Sequence, residues 1–385
     1  MGPGYRAFTL FLFNSCLAVF LSYGIFFGKV SSEFGLPASA TSFVFGVFAV
    51  FFSVSSLLLG LFMNRSGPGK TILVGGGLMG AGLVLSSVAN TYALLVLTYG
   101  VIGGLGSGSM WMPTSYVVFD SFDSGSVNKV VGLVSAGTAT GLLFFPPFES
   151  YLIAALGLNT AFLSVGVVIL AFTALAYLSS RKSRTTSKFD LKRAFASLRT
   201  RRFGFLYTYY AAGNAFSRTL VLIFLVPLFA SRGLEPAGAI ALSLIGVGSM
   251  AGRLTSGVRR ISEESMAAVG FILQGGSAAA LYFANDLVTI GVSALVFGIG
   301  YGTYIPEFAL LVRKYYGVEY YGTIFGTLLT SFGIGAFVGP VFEGVSVSSS
   351  GGYLPGFALA AVVSLLVGAH LLILGSKGRL GPNSK

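Results

Sequence analysis

The sequence predicts an all-α membrane protein with twelve transmembrane helices in two pseudo-symmetric six-helix bundles. Three observations predict it. Charged residues make up only 9% of the 385 positions and apolar residues 54%, whereas a soluble domain carries about 25% charged residues. Twelve apolar runs approach or exceed the roughly 20 residues needed to cross a hydrocarbon core. The second half of the chain also repeats landmarks of the first at a constant spacing. The 54 glycines fit this class, because small residues let membrane helices approach closely.

In order, the runs are 7–28, 41–63, 71–89, 92–118, 129–153, 158–179, 204–230, 237–258, 265–284, 288–311, 320–343 and 353–374. The first is expected to be a retained helix, since the apolar core of a cleaved leader is only about 7–15 residues and ends at a small-residue site. The charges between the runs justify the rest of the count. With both termini in the cytoplasm, the inner side receives Arg6, then Arg65 and Lys70, Lys129, nine residues of 181–202, Arg259 and Arg260, Arg313 and Lys314, and finally Lys377, Arg379 and Lys385. That is 20 of the 24 Lys and Arg; the outer side holds Lys29 and Arg232, and Arg218 and Arg253 fall within runs. Cytoplasmic loops carry such an excess. The expectation is a multi-pass protein of a cell membrane, plasma or inner. Its net charge of +12 reflects topology and attraction to anionic membrane lipid rather than nucleic acid.

The stretch "MNRSGPGKTILVGGGLMG" (63–80) holds two apparent nucleotide signatures. A phosphate loop needs G-x-x-x-x-G-K-[ST] between a strand and a helix. Here Asn64 occupies the first Gly position, and an apolar helix precedes it. The "GGGLMG" run has no strand before it and no acidic residue about 20 positions later, so both matches are read as chance hits.

The polar segment "RKSRTTSKFDLKRAFASLRTRRF" divides the chain into an N-terminal bundle (1–180), a basic cytoplasmic linker (181–203) and a C-terminal bundle with a short tail (204–385). "GLVSAGTATGLLFFPPFE" (132–149) lies on "GTLLTSFGIGAFVGPVFE" (326–343). Gly132 meets Gly326, Gly141 meets Gly335, Pro146 meets Pro340, Glu149 meets Glu343 and, elsewhere, Arg65 meets Arg259, all 194 residues apart. Two parallel halves related by an axis along the membrane normal are a transporter arrangement.

"GLFMNRSGPGK" (60–70) resembles the loop between helices two and three of the major facilitator superfamily, with Gly60, Arg65, Gly67 and Lys70 fitting the pattern and Asn64 replacing the usual Asp. That resemblance implies a conformational latch formed by Gly60, Asn64, Arg65, Gly67 and Lys70; a basic turn at a helix end is the plainer reading. "SYGIFFGKVSSEFGLPASATS" (22–42), "YYGTIFGTLLTSFGIGAFVGP" (320–340) and "GSMAGRL" (248–254) resemble helices one, eleven and eight of the monocarboxylate and oxalate/formate transporters of this superfamily. Helix eight of that group carries a carboxylate-binding Arg, here Arg253. Two departures stand out: Ser249 replaces an acidic residue four positions earlier, and Phe332 stands where oxalate transporters carry a Lys.

A charge at the bilayer centre costs about 2.5–3.5 kcal/mol even on insertion scales, so the charges inside runs are the first candidates. Arg218 lies mid-run in "NAFSRTLVLIF", on one helical stripe with Tyr207 and Asn214. It either meets substrate or caps a broken helix. Arg253 is five residues from the end of its run, about 8 Å deep at 1.5 Å per residue. It either presents a planar fork to a carboxylate or snorkels to the interface. Glu307, after Pro306, is the one carboxylate placed clearly inside a span; it takes up a proton as a coupling group or neutralises Arg253. Asn14 and Tyr23 hydrogen-bond substrate or a neighbouring helix. Trp111 and Tyr304, before Pro113 and Pro306, line the cavity or shape kinks. His370 and the sole cysteine, Cys16, are read as packing.

No metal-ligand cluster or nucleophile–base set is seen, so no cofactor and no enzyme activity are expected. The reading is a monomeric secondary active transporter that moves a small organic anion, a monocarboxylate, by alternating access, with a proton or an exchanged anion as co-transported partner. The alternatives are a carrier or exporter of a neutral or cationic solute and, more remotely, a non-transporting membrane receptor. The topology makes one immediate prediction: cysteine labels placed near Thr91 and near Arg193 should report opposite sides of the membrane. Access from one side alone would overturn the twelve-span count.

Overall fold

The computed structural model describes residues 2–123, 126–181, 183, 198–255, 261–317 and 321–376. The first pass is broken into α1 (Pro3–Ser15), α2 (Ala18–Leu21) and α3 (Tyr23–Phe34). Next come α4 (Ala38–Ser66) and α5 (Pro68–Ser86). The fourth pass is composite: α6 (Tyr92–Leu95), a π-helical segment Val96–Gly103, α7 (Gly104–Ser107) and α8 (Trp111–Ser121). After α9 (Val127–Ser180) comes a second composite pass of α10 (Arg201–Tyr209), a π-helical segment Tyr210–Arg218 and α11 (Thr219–Ala230). The chain then runs through α12 (Glu235–Thr255), α13 (Glu263–Phe283), α14 (Leu287–Tyr316), α15 (Tyr321–Ser350) and α16 (Leu354–Ser376).

Among the described residues, eleven helical stretches are long and apolar enough to cross a membrane. One of them, Lys129–Ser180, has 52 residues. At 1.5 Å per residue it would measure about 78 Å, over twice the hydrocarbon thickness of about 30 Å. Gly157, at φ 83° and ψ 170°, divides it into two passes. The protein is therefore all-α, with twelve passes. Several helices outlast their apolar runs: α3 continues to Phe34, α14 to Tyr316 and α15 to Ser350. Hydropathy marks the part of a helix that lipid must cover, and backbone hydrogen bonding carries the helix on into its polar flank.

The 60–70 stretch is almost all helix. A single residue, Gly67 at φ 83°, links α4 to α5, and its N–H donates to Met63 O at 2.8 Å. Pro68 opens α5, where its missing N–H costs nothing. Arg65 and Lys70 are exposed, and Gly69 packs on the end of α9, where a Cβ would lie 2.9 Å from Ser180 O. The side chain of Asn64, Arg259 and Arg260, most of the 181–203 linker and the tail beyond 376 lie outside the described residues. The "GGGLMG" run is the interior of α5: a Cβ on Gly75 would lie 1.9 Å from Ser109 Oγ, and one on Gly76 2.2 Å from Thr173 Oγ1. These glycines are close-packing sites, and no strand leads into them.

The internal repeat has a packing counterpart. A Cβ on Gly141 of α9 would lie 2.2 Å from Ser15 O in the broken first pass; one on Gly335 of α15 would lie 2.0 Å from Ala211 O in the π segment. Each half thus presses the helix that carries the repeated "G…P…E" landmarks onto an irregular pass. The halves meet chiefly where α4 packs on α15 and α9 on α12. Below, the end of the bundle bearing Arg65 and Arg313 is the basic end, and the opposite one is the far end. At the far end Ser39 N donates to Ser348 Oγ at 3.2 Å, and at the basic end Arg313 lies over the Phe119 ring at 5.5 Å.

Overpacking a close contact costs about 1–3 kcal/mol or more. Gly141→Ala and Gly335→Ala should each lower thermal stability in detergent, whereas Gly77→Ala, with open space around it, should not. Equal melting temperatures for all three variants would contradict the close approach.

Candidate functional site

A π-helical turn bonds i→i+5 and carries one residue more than an α-turn. Gln274 of α13 packs on the Tyr210–Arg218 segment. Its Nε2 donates to Gly213 O and to Ser364 Oγ, both at 2.8 Å. Its Oε1 accepts from Tyr304 Oη at 2.6 Å, and the same hydroxyl lies 3.2 Å from Asn214 Oδ1. This buried amide–phenol network braces the segment from behind and sets where its last residue, Arg218, projects.

Arg218 projects into a narrow central cavity between the halves. Leu17 and Leu21 of the broken first pass, Phe48, Phe52 and Trp111 line one side; Tyr210, Arg218, Tyr301, Ile305 and Phe332 line the other. Arg218 is 5% exposed. Its guanidinium carbon lies 4.8 Å from the Tyr301 ring centroid and 5.5 Å from that of Phe332. Aromatic faces attract a cation but accept no conventional hydrogen bond. Among the described residues no acceptor meets the guanidinium, and its Nε is buried without a partner.

Arg253 is fully buried and does not snorkel to the interface. Nη1 donates to Ser135 O at 2.6 Å, Nη2 to Tyr301 Oη at 2.9 Å and Nε to Ser249 Oγ at 3.2 Å. The Trp111 and Tyr301 rings lie 5.3 and 5.2 Å from its guanidinium carbon. Because Ser135 and Trp111 belong to the N-terminal half, Arg253 ties the halves together. Ser249, four residues earlier on the same helix, serves it as an acceptor. Tyr301 is shared by both arginines, at 4.8 and 5.2 Å, so the guanidinium carbons are no more than 10.0 Å apart.

The other candidates separate into groups. Trp111 faces the cavity; Tyr304 and Asn214 stand behind it, in the network that braces Arg218. Asn14 donates to Val134 O at 3.2 Å and to Thr114 Oγ1 at 3.3 Å, beside a second, smaller recess that Trp111 and Ser135 also line. Tyr23 donates to Thr41 O at 2.9 Å, and Tyr207 bonds Thr330 Oγ1 at 3.1 Å; both contacts join helices within a half. Glu307 is fully buried further along α14. It is not the sole carboxylate inside a span: Glu149 and Glu343 are also fully buried within α9 and α15. Sequence reasoning used these two only as repeat landmarks, and it passed over Tyr301, Tyr210 and Gln274. A lone amide in "GFILQGGSAAALYF" was the available signal for Gln274.

The Major Facilitator Superfamily model matches residues 7–340. The chain is 29% identical to monocarboxylate transporter 9 of Rattus norvegicus over 163 residues, which is 42% of this chain and only 31% of that protein. It is 22% identical to monocarboxylate transporter 2 of the same species over 383 residues, 91% of this chain and 78% of that one. The solved structure of the human organic anion transporter MFSD10 (TETRAN) shares its fold, with a TM-score of 0.70 and 15% identity over 96% of this chain and 100% of that one. With twelve apolar passes, a cavity between two halves and a family match across most of its length, the chain belongs to the Major Facilitator Superfamily.

Proposed function

We propose that the protein carries a small organic anion, a monocarboxylate, by alternating access. One observation carries the reading: Arg218 stands in the central cavity with five N–H donors, and among the described residues no acceptor meets them. Two aromatic faces offset about 1–4 kcal/mol, against an effective desolvation penalty of several kcal/mol per buried ion. They leave the donors unmet. A carboxylate supplies the missing charge and, bidentately, the missing acceptors. That two relatives are named monocarboxylate transporters, and a structural neighbour an organic anion transporter, supports the same class.

In this reading residues 1–180 and 204–385 rock as two units about the cavity, and 181–203 links them on the inner side. Both termini face the cytoplasm across a plasma or inner membrane. The cavity is far too small for an organic anion in the present conformation, so entry requires the halves to part. Arg253 is the switch in that motion: its bonds to Ser135 O and across Trp111 close the basic side, and substrate or water replaces those partners when that side opens. The 60–70 elbow acts as latch, and a proton or second anion balances the charge.

Losing one charge-assisted bond costs about 1.5–3 kcal/mol, a roughly 10- to 150-fold weakening. A thermal-shift screen of mono- and dicarboxylates on purified protein selects the probe, since a ligand of the folded state raises its stability. Arg218→Gln should weaken binding of the best carboxylate by that factor while the protein remains folded in detergent. Arg253→Lys should recover only part of the affinity, because an ammonium lacks the fork. Unchanged affinity in both variants would leave the arginines structural and favour a neutral solute.

A further inference from the structure

Glu149 lies in α9 three residues after Pro146, fully buried. Its Oε2 lies 2.7 Å from Ser22 Oγ, within hydrogen-bond distance, and its Oε1 has no hydrogen-bond partner among the described residues. The helices packed on this part of α9 bring no counter-ion among the described residues. The titratable groups facing it are phenols: Tyr99 from the Val96–Gly103 segment, and Tyr23 beside Tyr99 at a ring separation of 5.2 Å. The Tyr99 hydroxyl is itself buried without a partner. Lys29, further along α3, is exposed and pairs with Glu33 at 3.3 Å. Arg253 meets α9 at Ser135, 14 residues earlier and about 21 Å away along the helix at 1.5 Å per residue. An ionised carboxylate in so dry a place is far costlier than the neutral acid.

Ser22 is built to serve either form. Its Oγ lies 2.7 Å from Glu149 Oε2 but also 3.0 Å from Ala18 O and 3.2 Å from Val19 O. A hydroxyl has one hydrogen. When Glu149 carries a proton, the acid donates to Ser22 Oγ and the serine donates back to its own helix. When Glu149 is ionised, the serine turns and donates to the carboxylate. Either state keeps the Ser22–Glu149 bond with no backbone shift.

Ser22 also occupies a break in the first pass. Leu21, before it, lines the central cavity. Gly24, after it, presses on α11, where a Cβ would lie 2.6 Å from Ile223 O. The serine that reads the carboxyl thus sits between the cavity and the far-end contact of the two halves. We propose that Glu149 is a proton-binding site of this transporter, filled in the present conformation and emptied when the contact between α3 and α11 opens and admits water. The proton exchanges with one solution through the far end, when α3 and α11 part, and with the other through the central cavity, which Leu21 lines, when the basic end opens. The coupling to transport rests on the alternating-access reading; proton binding itself does not. Its repeat mate Glu343 is also buried, but it lies against Gly356 and Tyr353, and among the described residues no serine hydroxyl bonds it. It serves as an internal control.

Infrared spectroscopy of the protein in lipid tests the site without any substrate. At neutral pH the wild type should show carboxylic-acid C=O stretching, and Glu149→Gln should remove one component of it. Ser22→Ala should keep that component but shift its frequency, since the acid loses its acceptor; this variant covers the case in which Glu149→Gln fails to fold. In proteoliposomes, an imposed pH gradient should drive uptake of labelled pyruvate in the wild type and in Glu343→Gln, whereas Glu149→Gln should lose that drive and keep pyruvate exchange. A wild-type spectrum without a carboxylic-acid band, one unchanged by both Glu149→Gln and Ser22→Ala, or full gradient-driven uptake in Glu149→Gln would overturn the proposal. If the wild type moves no pyruvate, the monocarboxylate reading fails, and the spectra alone decide Glu149.

Discussion

A guanidinium inside a membrane-spanning bundle keeps its proton, so the rest of the bundle has to be arranged around its charge. Two such groups share one phenol here, and they are accommodated differently. Arg253 finds a carbonyl, two hydroxyls and two ring faces, with its carbonyl drawn from the opposite half. Arg218 finds, among the described residues, ring faces alone. The first is a closed electrostatic account and the second an open one. That difference, more than the presence of two positive charges, gives the cavity its chemical character.

Holding Arg218 in such a place takes support from well behind the cavity. Gln274 donates to the Gly213 carbonyl of the π segment, and Tyr304 fixes the amide's orientation. Backbones must come very close for this, as Gly335 does against Ala211. Glycine contacts, the amide network and the projecting cation form one chain of dependence. It runs from packing to geometry to charge.

Much of the fold was legible because lipid imposes a single strong rule on the chain: long apolar stretches, with charge confined to their ends. The twelve runs and the asymmetry of Lys and Arg follow from that rule. The helix ends did not, since α3, α14 and α15 continue past their apolar limits. The irregular turns did not either. A π segment has no compositional mark, and Gly157 is one glycine among many. At the site, Arg218 and Arg253 stood out because intramembrane charge is rare. Tyr301, which joins them, did not, because a tyrosine among apolar residues is ordinary. Glu149 and Glu343 were visible as symmetry marks, but a spacing says nothing about whether a carboxyl has a counter-ion.

The π segment also has a bearing on register. Each residue of a regular helix turns the next by about 100°, and the segment before Arg218 inserts one extra step. Shortening this stretch by a single residue would let the helix close into ordinary i→i+4 bonding. It would also swing every side chain beyond it, Arg218 first, by roughly a quarter turn around the helix axis. A more regular helix would then aim its charge into the packed wall instead of the cavity. The irregularity acts as a dial on the direction of one side chain, and a family of carriers could change what it binds by adding or removing one residue, with the helix count unaltered.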